Sequence, residues 1–370
     1  MRRNTRKVVL TQVCVDPVSC LATGTRVKEI NDFFDFQNLR QIGLNQIKRI
    51  GSSESSNNAS VYCLRYTKRV GDADYIAYAV LKTTKDNAAD NLTYEYVMGL
   101  YVNQLMQQHF PCFVQTYGLY RYESAEAKGR SRVTPLEGLR RVHTPDIRES
   151  CRRNDRQCLL VQYLRSPEAR VLGDYTFTRQ FVDELPKILY QAYAVLAFLV
   201  DDFTHYDMHS NNVMIYEMRE PLQFHYGSFS FCCKYLTKII DYGRAFGKDS
   251  RELKRTVCAE CSDCGSHFGY WFTEGEHAAK SYYIDASKPN KSHDLIYLNH
   301  LLQDHGTKIK LYHPKLYTLL KLVRYDDTFG TPPRNSNGID ILNVVDAAQH
   351  LKELISPEIK SGLTEINVPI

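Results

Sequence analysis

Residues 205–215 read HYDMHSNNVMI, and the fold prediction rests first on these residues. It follows a long apolar segment, which predicts a helix over 177–203, and it runs into a strand-like segment. A loop between a buried helix and a strand can hold Asp207 and Asn212 rigidly. A carboxylate such as Asp207 can accept a proton from a hydroxyl nucleophile, and the amide oxygen of Asn212 suits a hard cation such as Mg²⁺. Taken alone, the same loop is equally compatible with a turn closed by Asx hydrogen bonds.

Two other stretches carry candidate chemistry. Residues 238–246 read KIIDYGRAF, an apolar strand that ends in Asp241, a candidate metal ligand, with Gly243 permitting a sharp turn. Residues 79–82 read AVLK, a buried-looking strand with one lysine. Lys82 needs an anionic partner because an unpaired buried ammonium is costly, and phosphate oxygens together with Glu95 would supply it.

The regions around these stretches predict an α+β fold in two parts. The chain is strand-like from about 46 to 122, with a turn predicted at Gly71 and Asp72 and one helix predicted over 91–108. It is mainly helical after a strand at 158–164. Residues 123–157 are rich in arginine and poor in apolar periodicity, which predicts an exposed insertion. Further helices are predicted over 292–302, 314–323 and 343–355.

Composition excludes several classes of protein. The chain has 370 residues, with 43% hydrophobic and 24% charged side chains, which is typical of a globular protein and not of a disordered or collagen-like one. A formal charge of +5 argues against nucleic acid as the main partner. We expect no membrane span, since the apolar run at 192–200 is too short, and no secretory signal. Eleven irregularly spaced cysteines favour reduced thiols in an intracellular compartment.

The three stretches occur in the order and spacing of the protein-kinase signature set, in which a strand lysine, a catalytic-loop Asp and Asn, and a metal-binding Asp act together. The chain resembles the protein kinase-like superfamily over roughly 46–325. Residues 94–118 look like the divergent serine/threonine kinase-like proteins of large DNA viruses, which implies the host cytoplasm or the virion as location.

The resemblance implies a two-lobed protein kinase-like fold, with a small β-rich N-lobe and a larger helical C-lobe. It implies four segments along the chain. They are an N-terminal extension (1–45), an N-lobe with a basic insertion at 123–157 (46–164), a C-lobe (165–328) and a C-terminal segment with a final helix (329–370).

The resemblance also implies phosphoryl transfer from ATP with Mg²⁺ to Ser or Thr of a protein substrate that the sequence does not identify. Asp207 would be the catalytic base, Lys82 would hold phosphates and Glu95 would orient Lys82. Asn212 and Asp241 would bind the metal, and Asp294 resembles the helix residue that braces the catalytic loop. The residues implied in nucleotide binding are Gly51, Ser52, Val61, Lys82, Gln162, Tyr163 and Leu164.

The sequence departs from the family pattern at several positions. The phosphate-loop candidate at 50–61 has one glycine where the family has three, and no Ala-Pro-Glu motif separates Asp241 from Asp294. Tyr206 replaces an arginine, and His209 replaces a lysine, as in kinase-like enzymes that act on small molecules. Two alternatives therefore stay open: a catalytically weak pseudokinase that acts as a binding or virion component, and a small-molecule phosphotransferase.

A second metal hypothesis concerns one cysteine-rich segment. Its side chains are of the types that bind zinc, but they are crowded rather than split into two half-sites. The alternative is a set of reduced surface thiols. The zinc candidates are Cys258, Cys261, Cys264 and His267.

Overall fold

The structure is a computed structural model with a mixed α/β architecture, compatible with the predicted class. It describes residues 6–9, 13–14, 20–21, 26–34, 44–49, 59–84, 92–107, 110–122, 140–147, 149, 156–164, 169–248, 268–272, 281–325 and 340–370. The chain divides into two compact units, one drawn from Met1–Gln107 and Val114–Arg165 and the other from Gln108–Phe113, Ser166–Arg251 and Ser266–Ile370. That these units are the lobes of a kinase-like fold stays a prediction.

The first unit is built on one seven-stranded sheet with the order β2-β3-β4-β7-β5-β6, to which β1 adds in parallel alongside β4. Its strands are β1 (Arg6–Val9), β2 (Leu44–Arg49), β3 (Ala59–Val70), β4 (Ala73–Thr84), β5 (Thr116–Tyr122), β6 (Arg140–Val142) and β7 (Arg156–Gln162). Its helices are α1 (Val27–Phe34) and α2 (Leu92–Gln107). The predicted turn between β3 and β4 is confirmed, with Gly71 at a φ of +59°.

Two expectations for this unit need correction. Most of the predicted exposed insertion at 123–157 lies outside the described residues, but its described part contributes β6, which pairs with β5, and it buries the apolar side chains of Val142 and Ile147. Cys14 and Cys20 form a disulfide, so the expectation of reduced cysteines does not hold for this pair. By contrast, Cys112 is a buried thiol of the second unit.

Helix α2 lies close against β5 because Gly99 has no side chain. A Cβ at this position would collide with the Oγ1 of Thr116. Asn103, one turn further along α2, uses its side-chain amide to donate to the Thr116 carbonyl at 2.7 Å and to accept from the Thr116 amide at 3.0 Å. The close approach and this pair of hydrogen bonds fix the helix that carries Glu95.

The second unit contains eight strands and four helices among the residues that the structure describes. The strands are β8 (Ala169–Val171), β9 (Phe203–Thr204), β10 (Val213–Tyr226), β11 (Phe229–Ile239), β12 (Phe246–Gly247), β13 (Phe268–Phe272), β14 (Ser281–Asp285) and β15 (Thr364–Val368). The helices are α3 (Arg179–Phe198), α4 (Ile296–Tyr312), α5 (Pro314–Lys321) and α6 (Val344–Glu353). Together with α2 of the first unit, these helices confirm the five predicted over 91–108, 177–203, 292–302, 314–323 and 343–355. Helix α4 is longer than predicted: it continues to Tyr312, and α5 then begins at Pro314.

Helix α3 packs against the long hairpin of β10 and β11. The buried side chain of Gln191 donates to the Tyr235 carbonyl at 2.8 Å and accepts from the Thr237 amide at 2.9 Å. The hairpin makes this unit richer in strands than the predicted helical lobe. It also accounts for the separation between Asn212, which precedes β10, and Asp241, which follows β11.

The C-terminal segment belongs to the second unit. Asn343 caps α6 by accepting from the amides of Val345 and Asp346, both at 2.9 Å, and α6 packs on α3. Strand β15 adds in parallel to β10. The buried Gln223 accepts from the Lys360 amide at 2.8 Å, so a polar side chain in the sheet holds the approach to β15.

Lys238 is a fully buried amine on β11. Its Nζ donates to the Phe113 carbonyl at 3.0 Å. Burial lowers the pKa of Lys238 to about 7, because desolvation disfavours the charged form. Above about pH 7 the folded chain therefore lacks a proton that the unfolded chain retains.

None of the helices among the residues described above has the length and hydrophobicity needed to cross a membrane.

We expect Gly99→Ala to lower the free energy of unfolding by about 1–3 kcal/mol, since α2 and β5 must separate to admit the new methyl group. The measurement is urea denaturation. Gly306→Ala is the matched control: it also lies within a helix, but its Cβ would meet the flexible end of Leu302 at 3.3 Å and the Tyr317 ring at an ordinary contact distance of 3.7 Å. Equal effects of the two changes would show that the close approach at Thr116 does not constrain the fold.

We expect Lys238→Met to flatten the pH dependence of stability between pH about 7 and 9. An unfolded lysine has a pKa of about 10.4, so in this range the unfolded wild type binds more protons, and its stability rises with pH by up to about 1.4 kcal/mol per pH unit. From about pH 8 upwards Cys112 and Cys233, whose pKa values are raised by burial, oppose this rise in wild type and variant alike, because the unfolded thiols, with a pKa of about 8.5, lose protons that the folded ones keep.

Urea midpoints of wild type and Lys238→Met across this range measure the difference. Lys315→Met changes an exposed lysine of the same unit and should leave the wild-type slope. Parallel lines for wild type and Lys238→Met would contradict the expectation.

Candidate active site

The first unit joins Lys82 and Glu95 in an ion pair. Lys82 lies on β4 and Glu95 in the first turn of α2, and the Nζ to Oε1 distance is 2.6 Å. The two side chains are only 14% and 7% exposed, so the pair is largely removed from water. The anionic partner that the sequence requires for Lys82 is therefore present. Glu95 also lies where the positive end of the helix dipole favours a carboxylate.

The other nucleotide-binding candidates of this unit differ in how far the structure describes them. Gly51 and Ser52 lie outside the described residues. Val61 pairs with Lys82 across β3 and β4. In the predicted hinge, the Gln162 amide already donates to the Gln115 carbonyl at 2.8 Å.

The remaining two hinge residues differ in their packing. The ring of Tyr163 lies 5.9 Å from that of Tyr78, and Leu164 is buried. The main-chain N–H of Gln162 is therefore already used in a hydrogen bond. An adenine ring bound at this hinge would need hydrogen bonds from groups other than that N–H.

In the second unit, Asp294 braces the loop after α3. Its Oδ2 accepts from the His205 amide at 2.8 Å and its Oδ1 accepts from the Tyr206 amide at 2.9 Å. The Asp294 carbonyl also accepts from the hydroxyl of Tyr193, on α3, at 2.7 Å. A buried carboxylate that receives two backbone N–H groups forms strong charge-assisted hydrogen bonds. The loop is thus fixed at the two residues before Asp207.

His205 supports the loop from the other side. Its Nδ1 accepts from the Asp207 amide at 3.2 Å, and its Nε2 lies 2.9 Å from the Ile240 carbonyl. These two partners require a neutral ring with the proton on Nε2, because one nitrogen must accept while the other donates. His205 therefore links the candidate base to the strand that leads into Asp241.

The two predicted metal ligands of this unit are brought together. The Nδ2 of Asn212 donates to the Asp207 carbonyl at 2.9 Å, which leaves the amide oxygen as the group that would meet a cation. The Ile240 amide donates to the Asn212 carbonyl at 3.0 Å. Asn212 is therefore bonded both to the candidate base and to the residue before Asp241.

Two residues of this region have an unusual backbone. Tyr206 and Asp241 have φ values of 61° and 68°, and among the residues with described structure they are the non-glycine residues with positive φ. Such conformations cost of order 1–3 kcal/mol each and cluster at functional sites. Tyr206 directly precedes the candidate base Asp207, and Asp241 is itself a predicted metal ligand.

Tyr206 also shows what replaces the expected arginine. Its ring is fully buried in a small core that includes Phe246 and Ile296, and its hydroxyl donates to the Lys288 carbonyl at 2.9 Å. At this position the chain has an additional core contact in place of a charge.

Two basic side chains lie beside Asp207. Arg244 donates from Nη1 to the Asp207 Oδ1 at 2.9 Å, and the Nε2 of His209 lies 3.8 Å from the same oxygen. Burial lowers the pKa of His209 below its usual value, although Asp207 and Asp241 oppose that shift. Sequence reasoning missed Arg244. The signal available was a permanently charged residue placed three positions after Asp241, the one charged residue of the sequence 242–247.

The zinc hypothesis falls on Cys258, Cys261, Cys264 and His267, which lie outside the described residues. Within the residues that are described, no group of three or more His, Cys, Asp or Glu side chains is arranged to hold a metal ion. The oxygen ligands proposed for Mg²⁺ include an amide, Asn212.

Comparisons with known proteins add little to this geometry. No protein-family model matches the chain, and no curated protein matches it. Among solved structures, the chain is similar to one described as "WaaP in complex with acyl carrier protein", at 10% identity and a TM-score of 0.24, over 80% of this chain and 94% of that one. At this TM-score the similarity supports no conclusion about fold or function.

We expect Asp294→Asn to lower the free energy of unfolding by about 1–3 kcal/mol, because one of the two backbone N–H groups would then face the side-chain NH2 of asparagine, which donates and cannot accept. Hydrogen exchange should accelerate at the His205 and Tyr206 amides, and urea denaturation measures the loss of stability. Asp174→Asn, at an exposed position of the same unit, is the control and should change stability by less than about 0.5 kcal/mol. Unchanged exchange at both amides would contradict the bracing role.

Proposed function

We propose that this protein transfers a phosphoryl group from Mg·ATP to Ser or Thr hydroxyls of a protein substrate. The observation that supports it best is the loop braced by Asp294, in which Asp207 and Asn212 are hydrogen-bonded to each other and tied to the residue before Asp241. The Lys82–Glu95 ion pair adds independent support. Phosphoryl transfer depends on positioning and charge neutralisation more than on covalent chemistry, and these are the properties that such a network supplies.

The proposed roles follow from the chemistry of each group. Asp207 would orient the acceptor hydroxyl and accept its proton as the new P–O bond forms. Asn212 and Asp241 offer the oxygen ligands that Mg²⁺ prefers. When bound, the metal neutralises charge on the phosphates. Lys82, held by Glu95, would contact the phosphates as a fixed positive charge.

One observation favours a second candidate, a phosphotransferase for small molecules. His209 lies beside Asp207, with its Nε2 3.8 Å from Oδ1, at the position where protein kinases commonly have a lysine. The family resemblance associates a histidine here with kinase-like enzymes that act on small hydroxyl compounds. Protein and small-molecule acceptors must therefore both be tried.

We expect the wild-type protein to transfer labelled γ-phosphate from Mg·ATP, and Asp207→Asn and Asp241→Asn to reduce the rate by at least about 100-fold, because each removes a carboxylate that the reaction requires. The assay uses generic proteins, the protein itself and a panel of small hydroxyl compounds as acceptors. Asp201→Asn is the matched control, since this aspartate is exposed and pairs with Lys291 at the surface. It should retain the wild-type rate.

Thermal stability with and without Mg·ATP separates the remaining outcomes. A nucleotide that binds the folded chain raises its melting temperature by mass action. Stabilisation without transfer to any acceptor would favour the pseudokinase alternative, in which the chain acts as a binding or virion component. Neither stabilisation nor transfer, from folded protein, would refute phosphoryl transfer altogether.

A further inference from the structure

Arg244 lies in a short segment that is anchored at both ends beside the Asp207 loop. At one end the Ile240 amide donates to the Asn212 carbonyl at 3.0 Å. At the other end β12 pairs with β9, with Phe246 opposite Thr204. Both anchors are backbone hydrogen bonds to residues that flank Asp207 in the chain. The backbone of the segment therefore fixes where the Arg244 side chain begins.

The contact that this side chain makes is shielded from water. Arg244 and Asp207 are 13% and 11% exposed, with Nη1 2.9 Å from Oδ1. The Lys248–Asp202 pair nearby has the same distance, but its side chains are 62% and 43% exposed. Exposed pairs contribute little, whereas removal of one partner from a shielded pair leaves an uncompensated charge. The Arg244–Asp207 contact thus follows from the fold and is more than a chance surface encounter.

The position of this contact matters for a reaction that handles phosphates. Asp207 and Asp241 are both carboxylates, and phosphate oxygens would add further negative charge beside them. Like charges at short distance repel most strongly where water is excluded. A guanidinium remains charged at all accessible pH values and holds a carboxylate in a defined orientation.

We propose that Arg244 is a positioning residue for Asp207, an inference that rests on the proposed function. Its guanidinium holds the carboxylate in the orientation that receives the acceptor hydroxyl, and its charge offsets that of Asp207 while phosphates are bound. Arg244 acts through Asp207, so it supports the transfer step more than the binding of nucleotide. A contact that merely blocked Asp207 would have the opposite effect on the rate.

The test is steady-state transfer of labelled phosphate by Arg244→Gln and Arg244→Lys, with the folded state of each variant checked by urea denaturation. We expect Arg244→Gln to lower kcat by about 10- to 100-fold while KM for Mg·ATP changes by less than about threefold. Arg244→Lys retains the charge and should recover part of that loss. Arg219→Gln, at an exposed position on β10, is the control and should match the wild type.

A double variant tests whether Arg244 works through Asp207. If it does, Asp207→Asn combined with Arg244→Gln should retain the residual rate of Asp207→Asn alone, within about twofold. The proposal would be overturned if the double variant lost rate by the product of the two single-variant losses. An unchanged or higher kcat for Arg244→Gln, in a protein whose wild type is active, would also overturn it. No transfer by the wild type would refute the proposed function itself, and this inference with it, so the two failures are distinguishable.

Discussion

The candidate active site of the second unit depends on one buried carboxylate. Asp294 receives the amides of His205 and Tyr206, and these two hydrogen bonds hold the chain where it turns from α3 towards β10. Tyr206 has a positive φ, a conformation that persists only where the surrounding structure enforces it. The Asp294 carboxylate supplies part of that constraint, and the packing of the buried Tyr206 ring supplies the rest. Both fix the position of the next residue, Asp207.

The β10–β11 hairpin extends this order to the second carboxylate. Asn212 and Asp241 are 29 positions apart in the chain, yet the register places Val213 opposite Ile239, so the ends of the hairpin meet. Two hydrogen bonds hold these ends together: the Ile240 amide donates to the Asn212 carbonyl, and the His205 ring bonds to the Ile240 carbonyl. The Gln191 side chain on α3 donates to the Tyr235 carbonyl and so ties the hairpin to the helix. The arrangement is therefore a property of the sheet and not of the loop alone.

The departures from the family pattern acquire a physical meaning in this setting. Tyr206 gives up a charge and gains a place in the core. Arg244 restores a positive charge next to Asp207 from a different segment, one that is anchored to the same loop. His209 lies on the same side of Asp207, with a pKa lowered by burial. Two basic side chains, those of Arg244 and His209, thus lie beside the candidate base, and they differ from the set that the family resemblance implies.

Much of the local structure follows from patterns of neighbouring residues in the sequence. The apolar periodicity located α2 and α3, the Gly71 turn located the β3–β4 hairpin, and the candidate residues Lys82, Asp207, Asn212 and Asp241 were identified from residue type and order. These features depend on neighbours in the chain, which is why a single sequence shows them. The strand β6 within the basic insertion was missed, because its burial depends on β5 and not on its own periodicity.

The family resemblance implied that Glu95 orients Lys82 and that Asp294 braces the loop, but the bonded atoms, and the pairing of Arg244 with Asp207, come from the packed chain. The Lys82–Glu95 pair, the two hydrogen bonds to Asp294 and the contact between Arg244 and Asp207 join residues 13, 88 to 89 and 37 positions apart. Such pairs form because helices and strands bury their apolar faces together, and the polar groups carried along must then find partners. A sequence lists the groups that need partners, and the packing of the chain selects the partners they receive.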